Sequence, residues 1–168
     1  ITVKVGAILP LTGDSATFGE ESLNGLKLAL EKLKTGPKIN LVVEDTKGTP
    51  KDSAQAINKL IKTDKVAVVI GEVKSTDTMA ASPAAQEAKI PLLTHASTNE
   101  DVTKGKTFVS RICFNNSFQG YVMAKYAAEN LKGKTAVIIL PPENFMANCT
   151  ITKYVINVLA QMQKIVYA

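Results

Sequence analysis

The sequence predicts an α/β fold: a doubly wound, mostly parallel sheet of about five strands with helices on both faces. Three observations carry that prediction. Short runs of Val, Ile and Leu alternate with longer stretches in which apolar residues recur every three or four positions. The runs at 66–70 and 136–140 are apolar at every position, as in strands covered on both faces, rather than alternating polar with apolar. Gly and Pro punctuate the elements, with Pro10, Gly36 and Pro37, Gly71, Gly133 and Pro141 at the stops.

Residues 2–9 read as the first strand, broken at Pro10 and followed by a turn over 11–19. A helix is expected from about Glu20, with Leu23, Leu26, Leu30 and Leu33 on one face. Glu20 and Glu21 in its first turn, and Lys32 and Lys34 in its last, suit the helix dipole. Residues 39–43 are the second strand, and 45–50 the loop before a helix carrying Ala54, Ile57, Leu60 and Ile61. The third strand, 66–70, stops at Gly71, and a hydroxyl-rich turn over 72–78 leads into a helix for which Thr76 and Asp77 are good caps. A fourth strand at 90–94 runs into a second hydroxyl-rich turn at 95–99. A polar connection over 99–105 precedes a strand at 108–114, and Asn115, Asn116 and Ser117 cap a helix running to about Leu131. That helix offers Tyr121, Met123, Ala124, Ala127, Ala128 and Leu131 for packing. A strand at 135–140 and a last helix, with Ile151, Tyr154, Val155, Val158, Leu159 and Met162 on its stripe, complete a flavodoxin-like alternation.

The turns at 72–78 and 95–99 therefore leave the carboxyl ends of neighbouring strands, the edge at which open α/β sheets take ligands. Free backbone N–H groups at a helix start, backed by Ser and Thr hydroxyls, suit a small carboxylate or phosphate. This is a binding site without evident chemistry.

Composition excludes several other classes. A length of 168 residues fits one domain with a substantial core. The net charge of +5 comes almost wholly from Lys scattered among acidic residues, with Arg111 the only arginine, whereas nucleic-acid binders cluster basic residues and use Arg. No nucleic-acid partner is expected. No apolar run reaches membrane-spanning length, and no signal peptide precedes Ile1, so the chain is expected to begin as a mature protein does. Cys113 and Cys149 are too far apart for a CxxC metal pattern and are expected as buried thiols rather than a disulfide. No metal and no cofactor is predicted. Gly6, Gly13 and Gly19 miss the spacing of phosphate-binding glycine motifs. His95 has no nameable acid partner, and no GxSxG elbow surrounds Ser97, so it is expected as a turn residue at the solvent edge and no enzyme is predicted. Glu44 and Asp45 are expected as strand-end residues facing water, and the sequon at Asn148 matters only in a secretory context.

The residues also carry a family resemblance. The opening from Val3 to Asp14, with Phe18, Gly19, Asn24 and Gly25 after it, resembles the branched-chain amino-acid-binding proteins of bacterial ABC importers. Val69 to Glu72, Ser75, the string from Ala88 to Leu93, Ala96 to Asn99, and Phe118 to Gly120 follow in the order that family uses. The ensemble spans roughly residues 1–140, after which the resemblance is not legible. These are type I periplasmic binding proteins, whose two α/β lobes close on an amino acid. The resemblance implies that Ser75 and Thr98 hold the ligand α-carboxylate, that the Ala96 carbonyl and the Thr98 hydroxyl receive its ammonium, and that Ser97 is also among the ligand-binding residues. It also implies that Phe18 and Val73 line the aliphatic pocket, whereas Glu72 and Lys74 flank the site without an assigned role.

The family is about twice this length, and its second lobe supplies an acid for the ammonium and a closing aromatic. Residues 1–114 resemble the N-terminal lobe, 115–140 the first helix and strand of the second, and 141–168 are of unclear origin, as a borrowed or designed segment would be. The whole chain is expected as one lobe carrying half a site, with amino-acid binding weak or lost. The alternatives are an engineered or evolutionary-model scaffold without ligand, and a homodimer formed through the face meant for the other lobe. The resemblance implies a periplasmic or extracellular location.

Overall fold

The computed structural model describes residues 2–131, which form β1 (Thr2–Leu9), α1 (Ala16–Lys32), β2 (Lys38–Asp45), α2 (Pro50–Lys59), β3 (Val68–Ile70), α3 (Ser75–Ala88), β4 (Leu92–Thr94), β5 (Val109–Arg111) and α4 (Asn116–Glu129). The sheet runs β2-β1-β3-β4-β5, with every pair parallel. β1 pairs with β2 along its whole length, Thr2 opposite Lys38 through to Leu9 opposite Asp45, and with β3 on its other side. Because β2 and β3 flank β1, the chain first steps one way and then returns across it. Right-handed crossovers then place α1 on one face of the sheet and α2 and α3 on the other.

Side-chain alternation along the strands feeds both faces. On the α2 and α3 side, Ile8, Val69 and Leu92 pack with Ile57, Leu60, Ala81 and Ala85 into a closed core. On the α1 side, Val5, Leu41, Ile70 and Leu93 line an apolar groove of about 370 Å³ beneath Leu26 and Leu30. The stripe expected on α1 is therefore real but only half-buried, and Leu33 is exposed.

Several boundaries differ from the sequence expectation. α1 begins at Ala16 rather than near Glu20, so neither Glu20 nor Glu21 lies in the first turn; Lys32 lies in the last turn and Lys34 beyond it. Gly19 is part of this helix rather than the end of a turn. A Cβ there would lie 2.0 Å from the Pro10 carbonyl oxygen, so glycine lets α1 lie against the end of β1. α3 starts at Ser75, which puts Thr76 and Asp77 inside its first turn instead of at the cap. Pro83 sits within α3 and cannot donate to the Met79 carbonyl; the Ser82 hydroxyl donates to that carbonyl instead, at 3.0 Å. β4 and β5 are shorter than the expected 90–94 and 108–114.

The Thr49 hydroxyl caps α2 by accepting from the Asp52 N–H at 3.1 Å, and α2 ends in a π turn over Leu60–Asp64. The chain divides after Cys113 into two compact units. Within the second, Asn115 caps α4 as expected, its side-chain oxygen accepting from the Phe118 N–H at 2.9 Å. Ala124 of α4 is buried, whereas Tyr121, Met123 and Leu131 are exposed. The expected strand at 135–140, the last helix, Cys149 and the Asn148 sequon lie outside the described residues.

Candidate functional site

The strand order reverses at β1 and β3, and the segments leaving their carboxyl ends border the crevice where doubly wound sheets bind ligands. Four connections meet at that edge: Leu11 to Ser15 after β1, Thr46 to Thr49 after β2, Gly71 to Lys74 after β3, and His95 to Asn99 after β4. Gly71 has φ +127°, and a Cβ on it would lie 2.1 Å from the Ile8 carbonyl oxygen. Only glycine lets the chain turn out of β3 so close to β1.

The two predicted turns are bonded to each other. Ser75 opens α3, and its Oγ accepts from the Asn99 N–H at 3.2 Å. Val73 is half-buried; its N–H donates to Glu72 Oε2 at 2.9 Å, and its carbonyl lies 3.2 Å from the Ser97 hydroxyl. Ala96 is half-buried, and its N–H donates to Thr94 Oγ1 at 3.4 Å. Ser97 is wholly buried, with its Oγ 2.6 Å from Thr78 Oγ1 and 3.1 Å from the Glu72 carbonyl, so this hydroxyl fastens the turns beneath the surface. Thr98 is half-buried and makes no hydrogen bond with the described residues. Phe18 is 60% exposed on the first turn of α1.

Four residues of the site carry roles that sequence reasoning missed. Glu72 is completely buried, its Oε1 accepting from the Thr46 hydroxyl and, at 3.4 Å, from Ser53. Burial pushes its pKa above the ordinary 4.5, with Asp77 adding to the rise, while the hydrogen bonds from Thr46, Val73 and Ser53 pull it back. Asp45 does not simply face water. It accepts from the N–H groups of Leu11, Thr12 and Lys47 at 2.9, 3.3 and 2.8 Å and from the Thr12 hydroxyl at 2.7 Å. Burial works to raise its pKa, but those bonds outweigh it and hold the carboxyl below the ordinary value. Glu44, beside it, pairs with Lys59 at 2.5 Å. Arg111 braces the second turn from below, donating to the carbonyls of Ser97 and Asn99 at 3.1 and 2.8 Å and to Thr103 Oγ1 at 2.9 Å.

His95 is half-buried rather than at the solvent edge. Its Nε2 lies 2.8 Å from Ser22 Oγ, and the Ser22 hydroxyl donates to the Phe18 carbonyl at 2.7 Å. With that proton spent, Nε2–H is the donor to Ser22, and Nδ1 is left buried without a partner. Burial accordingly lowers the His95 pKa. Cys113 is also half-buried, a free thiol whose Sγ–H donates to the Ser97 carbonyl at 3.5 Å. Among the described residues no group of three or more His, Cys, Asp and Glu side chains could hold a metal ion, and no helix is long and apolar enough to cross a membrane.

The five-stranded parallel sheet with its helices is that of a single lobe of a type I periplasmic binding protein. The chain belongs to the family described as periplasmic binding protein, whose sequence model matches residues 2–149. That range runs past Leu140, so the resemblance extends nine residues beyond the point where it was legible. The chain is 35% identical over 143 residues to an amino acid binding protein of Pseudomonas aeruginosa, covering 82% of this chain and 38% of that one. It is 33% identical over 143 residues to the Leu/Ile/Val-binding protein BraC3 of Rhizobium johnstonii, covering 82% and 39%. Among solved structures it is similar to the leucine binding protein LivK of Thermotoga maritima, with a TM-score of 0.81 and 36% identity over 99% of this chain and 49% of that one. It is also similar to the substrate binding protein LivJ of Streptococcus pneumoniae in complex with isoleucine, with a TM-score of 0.83 and 27% identity over 99% and 49%. The chain thus spans about two fifths of the length of its curated relatives.

Proposed function

We propose that this chain carries the N-terminal half of an amino-acid site, of the leucine, isoleucine and valine type, from a periplasmic solute-binding protein of an ABC importer. The observation that carries this reading is the pairing of Ser75 with the turn holding Thr98, through the Ser75 Oγ to Asn99 N–H bond. That bond sets the start of α3 beside an unpaired hydroxyl and N–H at Thr98, a suitable seat for an α-carboxylate. The Ala96 carbonyl and the Thr98 hydroxyl receive the ammonium, and Phe18 and Val73 offer apolar surface to the side chain. Ser97, buried among Thr78, Glu72 and Val73, supports the turn and does not touch the ligand. The names of the relatives in Pseudomonas and Rhizobium support an amino acid as the ligand.

The described residues of this half-site offer a ligand contact from one side, so binding by the half-site alone is expected to be weak. An amide NMR titration with leucine, with 3-methylbutylamine as the carboxylate-free control, tests the reading. Leucine-dependent shifts confined to residues 73–76 and 96–99 are expected. Their absence at saturating leucine would leave a ligand-free scaffold. Light scattering on the same sample reports whether a homodimer replaces the missing wall.

A further inference from the structure

Glu72 is a fully buried carboxyl that the amino-acid site does not use. Its side chain reaches the Thr46 and Ser53 hydroxyls, on the connection after β2 and in α2, and the N–H of Val73. Its carbonyl accepts from the Thr94 hydroxyl at 2.7 Å and from Ser97 Oγ at 3.1 Å, directly beneath the second turn. One residue therefore touches three of the four connections at the crevice edge. We propose that Glu72 is the positioning residue of the half-site, its carboxyl locking the connection after β2 to the turn that bears Val73 and Ser75 while its carbonyl seats the turn that bears Ala96 and Thr98.

Among the described residues no cation compensates this carboxyl. Lys74 is turned to the Gly48 carbonyl and to Asp77, 3.5 Å away; Asp77 on α3 repels a charge on Glu72; Asp45 and Asp52 are engaged by Thr12 and Thr49; and His95 is bonded to Ser22. Among the described residues its side-chain partners are hydroxyls and one N–H, a setting that favours the neutral acid. Protonated on Oε1, Glu72 donates to Thr46 Oγ1 and still accepts the Val73 N–H on Oε2. Glutamine reproduces that pattern, with its NH₂ on Thr46 and its oxygen on Val73.

The inference rests on the amino-acid reading for its purpose but is tested without ligand. Amide exchange is measured by NMR in the apo chain for wild type, Glu72→Gln and Glu72→Ala. Glu72→Ala is expected to speed exchange at Val73, whose N–H loses its acceptor, about tenfold, the loss of roughly one buried hydrogen bond's protection. Glu72→Gln is expected to keep the wild-type rates and site shifts of the protonated state, as a mimic of the neutral acid. Unchanged exchange in Glu72→Ala would overturn the proposal, and so would a Glu72→Gln profile as disturbed as that of Glu72→Ala. Where Glu72→Ala does not fold, Thr46→Val replaces it: faster exchange at Val73 supports the lock, and changes confined to the neighbours of residue 46 overturn it. Leucine is added last. A wild-type chain without leucine shifts disposes of the amino-acid reading alone, because the exchange comparison is already complete.

Discussion

Asp45 and Glu72 stand at the same edge of the sheet and answer pH with opposite signs. The Asp45 pKa is depressed, so the unfolded chain binds the extra proton below the ordinary value of 3.8, and the stability Asp45 supplies is lost as pH falls through its folded value. Asp45→Asn removes an acceptor from the clasp on Leu11 and Thr12 and is expected to cost about 1 kcal/mol at neutral pH, at the modest end because the site is partly solvated. Urea midpoints at pH 7 and pH 3 read this: the difference between Asp45→Asn and wild type should shrink at the lower pH. The Glu72 pKa is raised, so the folded chain holds the extra proton above the ordinary 4.5, and stability declines as pH rises from there toward the folded value. Glu72→Gln cannot ionise and is expected to lack that decline, overtaking wild type in urea midpoint as pH rises. Equal pH slopes for the two proteins would refute the neutral-acid assignment. Neither carboxyl was legible as a fastener in the sequence. Acidic residues at strand ends read as surface, and the partners that bury Glu72 lie 26 and 19 residues away in sequence.

At the scale of elements, most of the fold was legible because strands with helices on both faces write themselves as unbroken apolar runs, as at Val66 to Ile70, of which Val68–Ile70 form β3. The element ends were less so. α1 starts four residues early because Gly19, which reads as a breaker, is there for contact with Pro10 and not for a turn. The two faces of the sheet also could not be ranked by counting stripe residues, since the sequence offers four apolar positions for each of α1 and α2. Packing separates them: Ile57 is wholly enclosed between α2, α3 and the sheet, whereas Leu30 borders the open groove under α1. Ile57→Ala is therefore expected to cost about 3–4 kcal/mol, near the middle of the range for buried large-to-small changes, and Leu30→Ala about 1 kcal/mol, because its site is already partly empty. Thermal unfolding of the two variants beside wild type measures the contrast. Equal losses would mean that the α1 face is as tightly packed as the core.

At the scale of the whole molecule, the affinity of the proposed half-site follows from a sum of its contacts. On the proposed reading, two or three charge-assisted hydrogen bonds from Ser75, Thr98 and the α3 amides would supply roughly 1.5–3 kcal/mol each. Contact of a leucine side chain with Phe18 and Val73 on one side supplies about 1 kcal/mol, half or less of full burial. Against these stands an association cost of at least about 4 kcal/mol before any side chain is ordered. The remainder is a few kcal/mol, which places the Kd near or above about 1 mM. The carboxylate contacts carry most of that sum, so 3-methylbutylamine should bind below detection while leucine still shifts the amides of Ser75 and Thr98. Thr98→Val, which keeps the shape of the turn and removes the one hydroxyl left unpaired there, should abolish the leucine shifts with the fold intact. Saturation of a confirmed monomer below about 0.1 mM leucine would mean that one lobe supplies more binding free energy than its exposed contacts account for, and that the ligand is enclosed on its second side as well.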